Sequence, residues 1–164
     1  MFQGLKFEPL TLPASAEALR LDVRAFVESE LGNDYLRNSD FNAGESAEFS
    51  QKLGAKGWIG MTWPKQYGGA ERSFLERYVV TEELLAAGAP VGAHWIADRQ
   101  SGPLLLKFGT EDQRAAYLPR VAKGECYFSI GMSEPDSGSD LASIRTSAVK
   151  VCLLYTSRRC RRRG

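Results

Sequence analysis

From Ser15 to Leu31, apolar Leu19, Val23, Phe26, Val27 and Leu31 return every three or four positions, which places one apolar stripe on an amphipathic helix. Gly32-Asn33 ends it. A second helix is predicted from about Glu45 to Lys56, burying Phe49 and Leu53, with Gly57 just beyond as its stop. Between Trp58 and Gly69 glycines and Pro64 forbid a long helix while the aromatics need burial, so this stretch reads as an ordered connection packed on a core. Ser73-Phe74-Leu75-Glu76 has the spacing of a capping box and opens a helix that runs to Ala87, closed by Gly88. Val91 to Phe108 is helical in pattern, with a break or two segments expected at Ser101-Gly102-Pro103 and Gly109 expected at the C′ position. A second capping box, Thr110 with Gln113, opens a helix through Tyr117 and Leu118 that Pro119 and Gly124 are expected to end.

The pattern changes after Gly124. Cys126-Tyr127-Phe128-Ser129-Ile130-Gly131-Met132 is a short run of aromatic, β-prone and small residues, and predicts a buried strand. Leu141 to Arg145 suggests a brief turn or helix, and Thr146 to Lys150 the start of another strand. A lone strand pair is marginal in water, so most of its sheet is expected beyond Lys150. The fold class is therefore mainly α, a helical domain over residues 1–125 followed by the first strands of a truncated β-domain over 126–150. No internal repeat is visible.

Composition narrows the function classes. At 164 residues with 43% hydrophobic content the chain can build a real core, and no run of about 18 apolar residues predicts a membrane span. The start lacks a secretory pattern, and a cytoplasmic address is the default expectation. Cys126, Cys152 and Cys160 have no paired spacing, and with the single His94 they make no zinc set, so no metal is implied. The formal net charge of +1, less the five arginines at 158, 159, 161, 162 and 163, leaves −4 for residues 1–150. A basic tail suggests nucleic acid, yet no basic helix or aromatic interleaving accompanies it. Residues Cys152 to Ser157 look like the translation of a transposon adapter used in preparing sequencing libraries. Residues 151–164 are therefore expected to be non-native read-through, with the native frame continuing past Lys150.

The densest chemistry lies in Ser133-Glu134-Pro135-Asp136-Ser137-Gly138-Ser139-Asp140. Pro135 fixes its own φ and pushes Glu134 away from helix, while Gly138 has no Cβ and lets the backbone lie flat against a ligand. Ser133, Ser137 and Ser139 each carry an O–H donor, and successive N–H groups around Gly138 can form an anion-binding nest. A strand followed by a turn, with a helix N-cap at Ser139 or Asp140, accounts for the same residues without a ligand.

A helical region ending in a strand and then this loop closely resembles the acyl-CoA dehydrogenases. The resemblance covers about residues 15–150 and rests on three blocks: Gly57-Trp58 through Tyr67-Gly68-Gly69; Pro103-Leu104-Leu105 through Gly109 to Gln113 with Tyr117-Leu118-Pro119; and Ser133 to Asp140 with Leu141 to Thr146. It implies an N-terminal helical domain, a middle β-domain and a C-terminal four-helix bundle with FAD between them, of which this chain is less than half. It also implies a flavin-binding segment of Ile130, Gly131, Met132, Ser133, Glu134, Pro135, Asp136, Ser137, Gly138 and Ser139. Main-chain groups near Met132 then meet the pyrimidine edge, and Ser133, where relatives commonly carry Thr, points its hydroxyl at flavin N5. Ser139 sits where the CoA part of the substrate enters. His94 and Gly102 belong to a segment resembling one wall of the acyl cavity, although ordinary helix packing explains them as simply. Asp136 and Ser137 replace residues common in relatives, Gly and Ala. They suggest a subgroup acting on unusual acyl chains or steroid side-chain thioesters.

The implied reaction is α,β-dehydrogenation of an acyl-CoA, with electrons passed to an electron-transfer flavoprotein by a homo- or heterotetramer. The catalytic base is expected in the C-terminal bundle, so Glu82, Glu83, Glu111, Glu125 and Glu134 are not assigned that role. Glu82 and Glu83 read as solvated or paired helix positions, Glu76 as a cap, and Cys126 as a small buried residue. An acyl-CoA oxidase or a flavin monooxygenase shares these motifs. A helical interaction module without cofactor accounts for the helices but leaves the loop at 133–140 unexplained.

Overall fold

The computed structural model describes residues 11–32, 44–151 and 154–158. The chain divides into two units, Met1–Phe128 and Ser129–Gly164. In the first, the apolar stripe read from the sequence becomes α1 (Ala14–Leu31), with Ala16, Leu19, Val23 and Phe26 buried; Gly32, at φ 68°, ends it. Asn33 lies outside the described residues. Helix α2 (Ala47–Ala55) starts where Ser46 accepts the N–H of Phe49, and buries Phe49 and Leu53 as its spacing requires.

Both capping boxes form. Ser73 and Glu76 exchange bonds at the start of α3 (Phe74–Ala86), and Thr110 and Gln113 do so at the start of α6 (Glu111–Ala122). Between them the chain makes α4 (Gly92–Ile96), one π-helical turn (Ala97–Ser101) and α5 (Gly102–Phe108). The stretch 58–69 is ordered as expected, with a 3₁₀ turn at Lys65–Tyr67 and Trp58, Ile59, Met61, Trp63 and Tyr67 all in the core. These side chains join Leu19, Val23 and Phe26 of α1, Val80 and Leu84 of α3, and Leu118 and Val121 of α6 in one cluster. Each fully buried Leu, Ile or Val contributes about 1.5–3 kcal/mol of transfer free energy, so this cluster holds the unit together.

Helices α1 and α3 are also tied by charge. The Glu83 carboxylate accepts from Arg20 Nη1 at 2.8 Å and from Arg24 Nε at 2.7 Å and Nη2 at 3.0 Å, which holds its pKa below the usual carboxylate range. Glu82 pairs with Arg20 at 2.9 Å. Both glutamates are thus paired, as their helix position suggested, and Glu83 is buried as well.

Three expectations need correction and one holds. Cys126 to Met132 forms neither helix nor strand, because no described strand lies beside it to complete a ladder. The interruption expected at Ser101-Gly102-Pro103 is present as two α segments joined by the π turn that ends at Ser101; Pro103 sits in the first turn of α5, where its missing N–H costs nothing. Gly109 is extended, at φ −68° and ψ 155°, and is no left-handed C′ residue. Of the two stops expected for α6, Gly124 acts, at φ 72° just past the cap, whereas Pro119 lies inside the helix, which runs on to Ala122; burial of Leu118, Val121 and Ala122 outweighs the single ladder bond the proline removes.

The second unit carries a 3₁₀ turn at Leu141–Ser143 and an antiparallel pair, β1 (Ser147–Val151) with β2 (Leu154–Arg158), in the register Ser147↔Arg158 to Val151↔Leu154. The sequence anticipates β1 to within a residue. Residues of β2 come from the adapter-like stretch.

Candidate functional site

Residues Ile130 to Ser139 all lie in the second unit, where the chain folds back on itself over four residues. Glu134 N–H donates to Ser137 O at 2.8 Å and Ser137 N–H to Glu134 O at 3.2 Å, so Pro135 and Asp136 form the tip of a tight turn. Pro135 suits that tip because its φ is fixed. The Ser137 N–H, one of the groups beside Gly138 expected to form an anion nest, is therefore used within the turn.

The three serines separate. Ser137 is 5% exposed; its Oγ donates to Asp140 O at 2.5 Å and accepts from Ser143 Oγ at 2.9 Å. Its single proton is committed to the loop, which corrects its expected part as a donor to a ligand. Ser133 and Ser139 are exposed. Gly138 has open space where a Cβ would stand, with no heavy atom within 4 Å. Ile130 and Met132 are 42% and 53% exposed, a high fraction for large apolar side chains outside a core. The segment from Ile130 to Gly138 thus exposes a hydroxyl at Ser133, backbone at Gly138 and apolar side chains at Ile130 and Met132. Such a surface suits a flat aromatic ring with polar edges. Asp140 precedes the 3₁₀ turn, but no side-chain cap forms there, so the plain N-cap reading of this segment does not hold.

Glu134 does something the sequence did not reveal. Its carboxylate accepts the N–H of Arg145 at 2.9 Å and of Thr146 at 2.7 Å, and also the Thr146 hydroxyl. These bonds hold its pKa below the ordinary glutamate value, with the Arg145 charge assisting.

His94 and Gly102 lie in the helical unit. His94 is buried, and Ser50 Oγ, which donates to Ser46 O at 2.8 Å, stands 2.8 Å from His94 Nδ1. While the Ser50 hydroxyl donates to Ser46 O, it can meet His94 Nδ1 only as an acceptor, which suits the tautomer with its hydrogen on Nδ1. Burial, with the Arg99 charge nearby, lowers its pKa to about 4. Gly102 faces Trp63 so closely that a Cβ would stand 2.1 Å from ring carbon Cζ2, and only glycine fits. Both positions are held by packing inside the unit.

Asp98, also buried, accepts the Gly60 N–H at 2.8 Å, and burial raises its pKa. Arg99 stacks on Trp95 at 4.2 Å, with its Nη2 on the Thr81 hydroxyl. Neither the Ser50–His94 nor the Gly60–Asp98 bond had a local signal in the sequence, since the partners lie 44 and 38 residues apart. Cys126 is only partly buried and packs at the edge of the core. Among the described residues no group of three or more His, Cys, Asp or Glu is placed to hold a metal ion, and no helix is long and apolar enough to cross a membrane.

Comparison with known proteins agrees with the family resemblance, and the family model spans the first two of the three blocks. The sequence model described as acyl-CoA dehydrogenase, N-terminal domain, matches residues 13–125. Acyl-CoA dehydrogenase FadE26 of Mycobacterium tuberculosis is 42% identical over 99 residues, covering 60% of this chain and 24% of its own length. The solved structure titled Tcur3481-Tcur3483 steroid ACAD superposes with a TM-score of 0.77 at 38% identity, over 88% of this chain and 38% of that one. A glutaryl-CoA dehydrogenase from Mycobacterium smegmatis, solved in complex with FADH2, shares the fold at a TM-score of 0.72 and 24% identity, over 90% of this chain and 38% of its own. The chain thus spans about a quarter to two fifths of the length of these relatives. It belongs to the acyl-CoA dehydrogenase family, and residues 13–125 are its N-terminal domain.

Proposed function

We infer that these residues are the N-terminal part of a flavin-dependent acyl-CoA dehydrogenase that removes two hydrogens across the α and β carbons of an acyl-CoA thioester. One observation carries the reading: in the short segment 130–138, Ser133, Ile130 and Met132 are all exposed and Gly138 has open space where a Cβ would stand, in a chain whose helices match this family's N-terminal domain. FAD, when bound, would accept the hydride released from the β carbon. Ser133 donates its hydroxyl toward the ring nitrogen N5, main-chain groups near Met132 hold the pyrimidine edge, and Ile130 and Met132 keep water from the ring face. Residues Glu134, Pro135, Asp136 and Ser137 shape the turn, and Ser139 lies at the CoA entrance beside Gly138. His94 and Gly102 serve the acyl wall from behind, by fixing the helical segment that carries Trp95 and Arg99. The α-proton is taken by a carboxylate that the family resemblance puts in the C-terminal bundle, outside these residues.

The likeness to a steroid ACAD favours a steroid-type or similarly bulky thioester over a short straight chain. Electron transfer to an electron-transfer flavoprotein, a tetrameric assembly and a cytoplasmic site complete the proposal. The test is the protein extended past Lys150: it is expected to purify yellow, to bleach anaerobically with its acyl-CoA, and to stay reduced until an electron-transfer flavoprotein is added. In that protein Ser133→Ala should weaken FAD binding or slow flavin reduction about 2- to 10-fold, the loss of one hydrogen bond of roughly 0.5–1.5 kcal/mol. A colourless protein, or a variant with unchanged flavin affinity and reduction rate, overturns the assignment.

A further inference from the structure

The geometry points to Glu134 as a positioning residue whose carboxylate clamps the turn at 134–137 to the chain at Arg145 and Thr146, and thereby fixes the neighbouring Ser133. The polar groups of this residue are unusually fully engaged. Its N–H and C=O close the turn with Ser137, one carboxylate oxygen takes the Arg145 N–H, and the other takes the Thr146 N–H and hydroxyl. Pro135 follows, which restricts the backbone of Glu134 itself. Ser133 is thus attached to a residue with almost no conformational freedom left, although Ser133 is itself exposed. An ordinary loop spanning residues 134–146 would sample many orientations of that hydroxyl. Here two adjacent N–H groups and one O–H converge on a single charged acceptor, and bonds to an ionised acceptor are shorter and stronger than neutral ones. The Thr146 end passes directly into β1, so the clamp joins the turn to the strand pair of the same unit.

The residue type is specific to this task. Glutamine has one acceptor oxygen and would turn an NH2 toward one of the two N–H groups, and aspartate is shorter by a methylene and cannot reach from the same turn. The clamp stands on the bonds alone. Only its purpose, holding Ser133 toward a flavin, rests on the function proposed above.

The experiment uses the 164-residue chain labelled with ¹⁵N. The Arg145 and Thr146 amide resonances are expected to move together as the pH is lowered, with a midpoint below that of an ordinary glutamate, and in Glu134→Gln that titration disappears. The same two amides should exchange with solvent about tenfold faster in Glu134→Gln, while amides of α1 to α6 are unchanged. Glu134→Asp should not restore protection. Equal exchange in wild type and Glu134→Gln, or amides that ignore pH, overturns the clamp. A clamp present in a longer protein that binds no flavin removes the functional reading and leaves the clamp standing. A flavin bound equally well by wild type and Glu134→Gln forms of that protein removes the positioning role.

Discussion

At the scale of single residues, the helical unit depends on polar side chains whose partners are remote in sequence. His94 shows the consequence for stability. Its ring is kept neutral between Ser50 and the core, with a folded-state pKa of about 4 against 6.5 for a free histidine. The folded form therefore binds fewer protons than the unfolded chain between those values, and stability falls as the pH drops from about 6.5 toward 4. At 1.36 kcal/mol per pH unit the full window corresponds to about 3 kcal/mol. Urea unfolding at pH 7 and at pH 4.5 should show most of this loss in wild type and a clearly smaller loss in His94→Gln. Equal acid sensitivity of the two proteins would mean that His94 is not buried neutral. Asp98, with its raised pKa, acts in the opposite direction, so the comparison with the variant is what isolates the histidine.

At the scale of elements, both start and stop signals were legible: Gly32, Gly57, Gly88 and Gly124 all take left-handed φ at or just past the ends of α1, α2, α3 and α6. Ser73 with Glu76 and Thr110 with Gln113 specify helix starts through groups three residues apart, and both boxes form where the spacing placed them. Ser73→Ala should cost about 1 kcal/mol, read as a lower urea midpoint at unchanged slope. Ser73→Ala combined with Glu76→Gln should cost less than the two singles added, because each single change already disrupts the reciprocal pair. Full additivity would show that the box contributes nothing as a unit. Pro119 illustrates the other side: local rules end the helix there, but burial of the following turn carries it to Ala122. The π turn at Ala97–Ser101 has the same origin, since the helical path continues to Gly102, which must lie against Trp63, a residue far earlier in the chain.

At the scale of the whole molecule, the chain has two units, and it spans only part of its relatives' length. On the proposed function, groups enclosing the flavin ring lie outside these 164 residues, so the isolated chain should bind FAD too weakly to retain it through gel filtration. A tightly bound, yellow and catalytically competent form of this chain would contradict that. The sequence alone determined which segments are helical, where the capped ones begin, which faces are apolar, and the family, because helix period, capping and the motif blocks are written in residues near one another. Tertiary structure alone decided that Ser137 turns inward while Ser133 stays exposed, that Glu134 reaches Arg145 and Thr146, that His94 rests on Ser50, and that the run at 126–132 remains unpaired. Those outcomes depend on contacts between residues with no fixed spacing, and on whether a ladder partner is at hand, which local pattern does not encode.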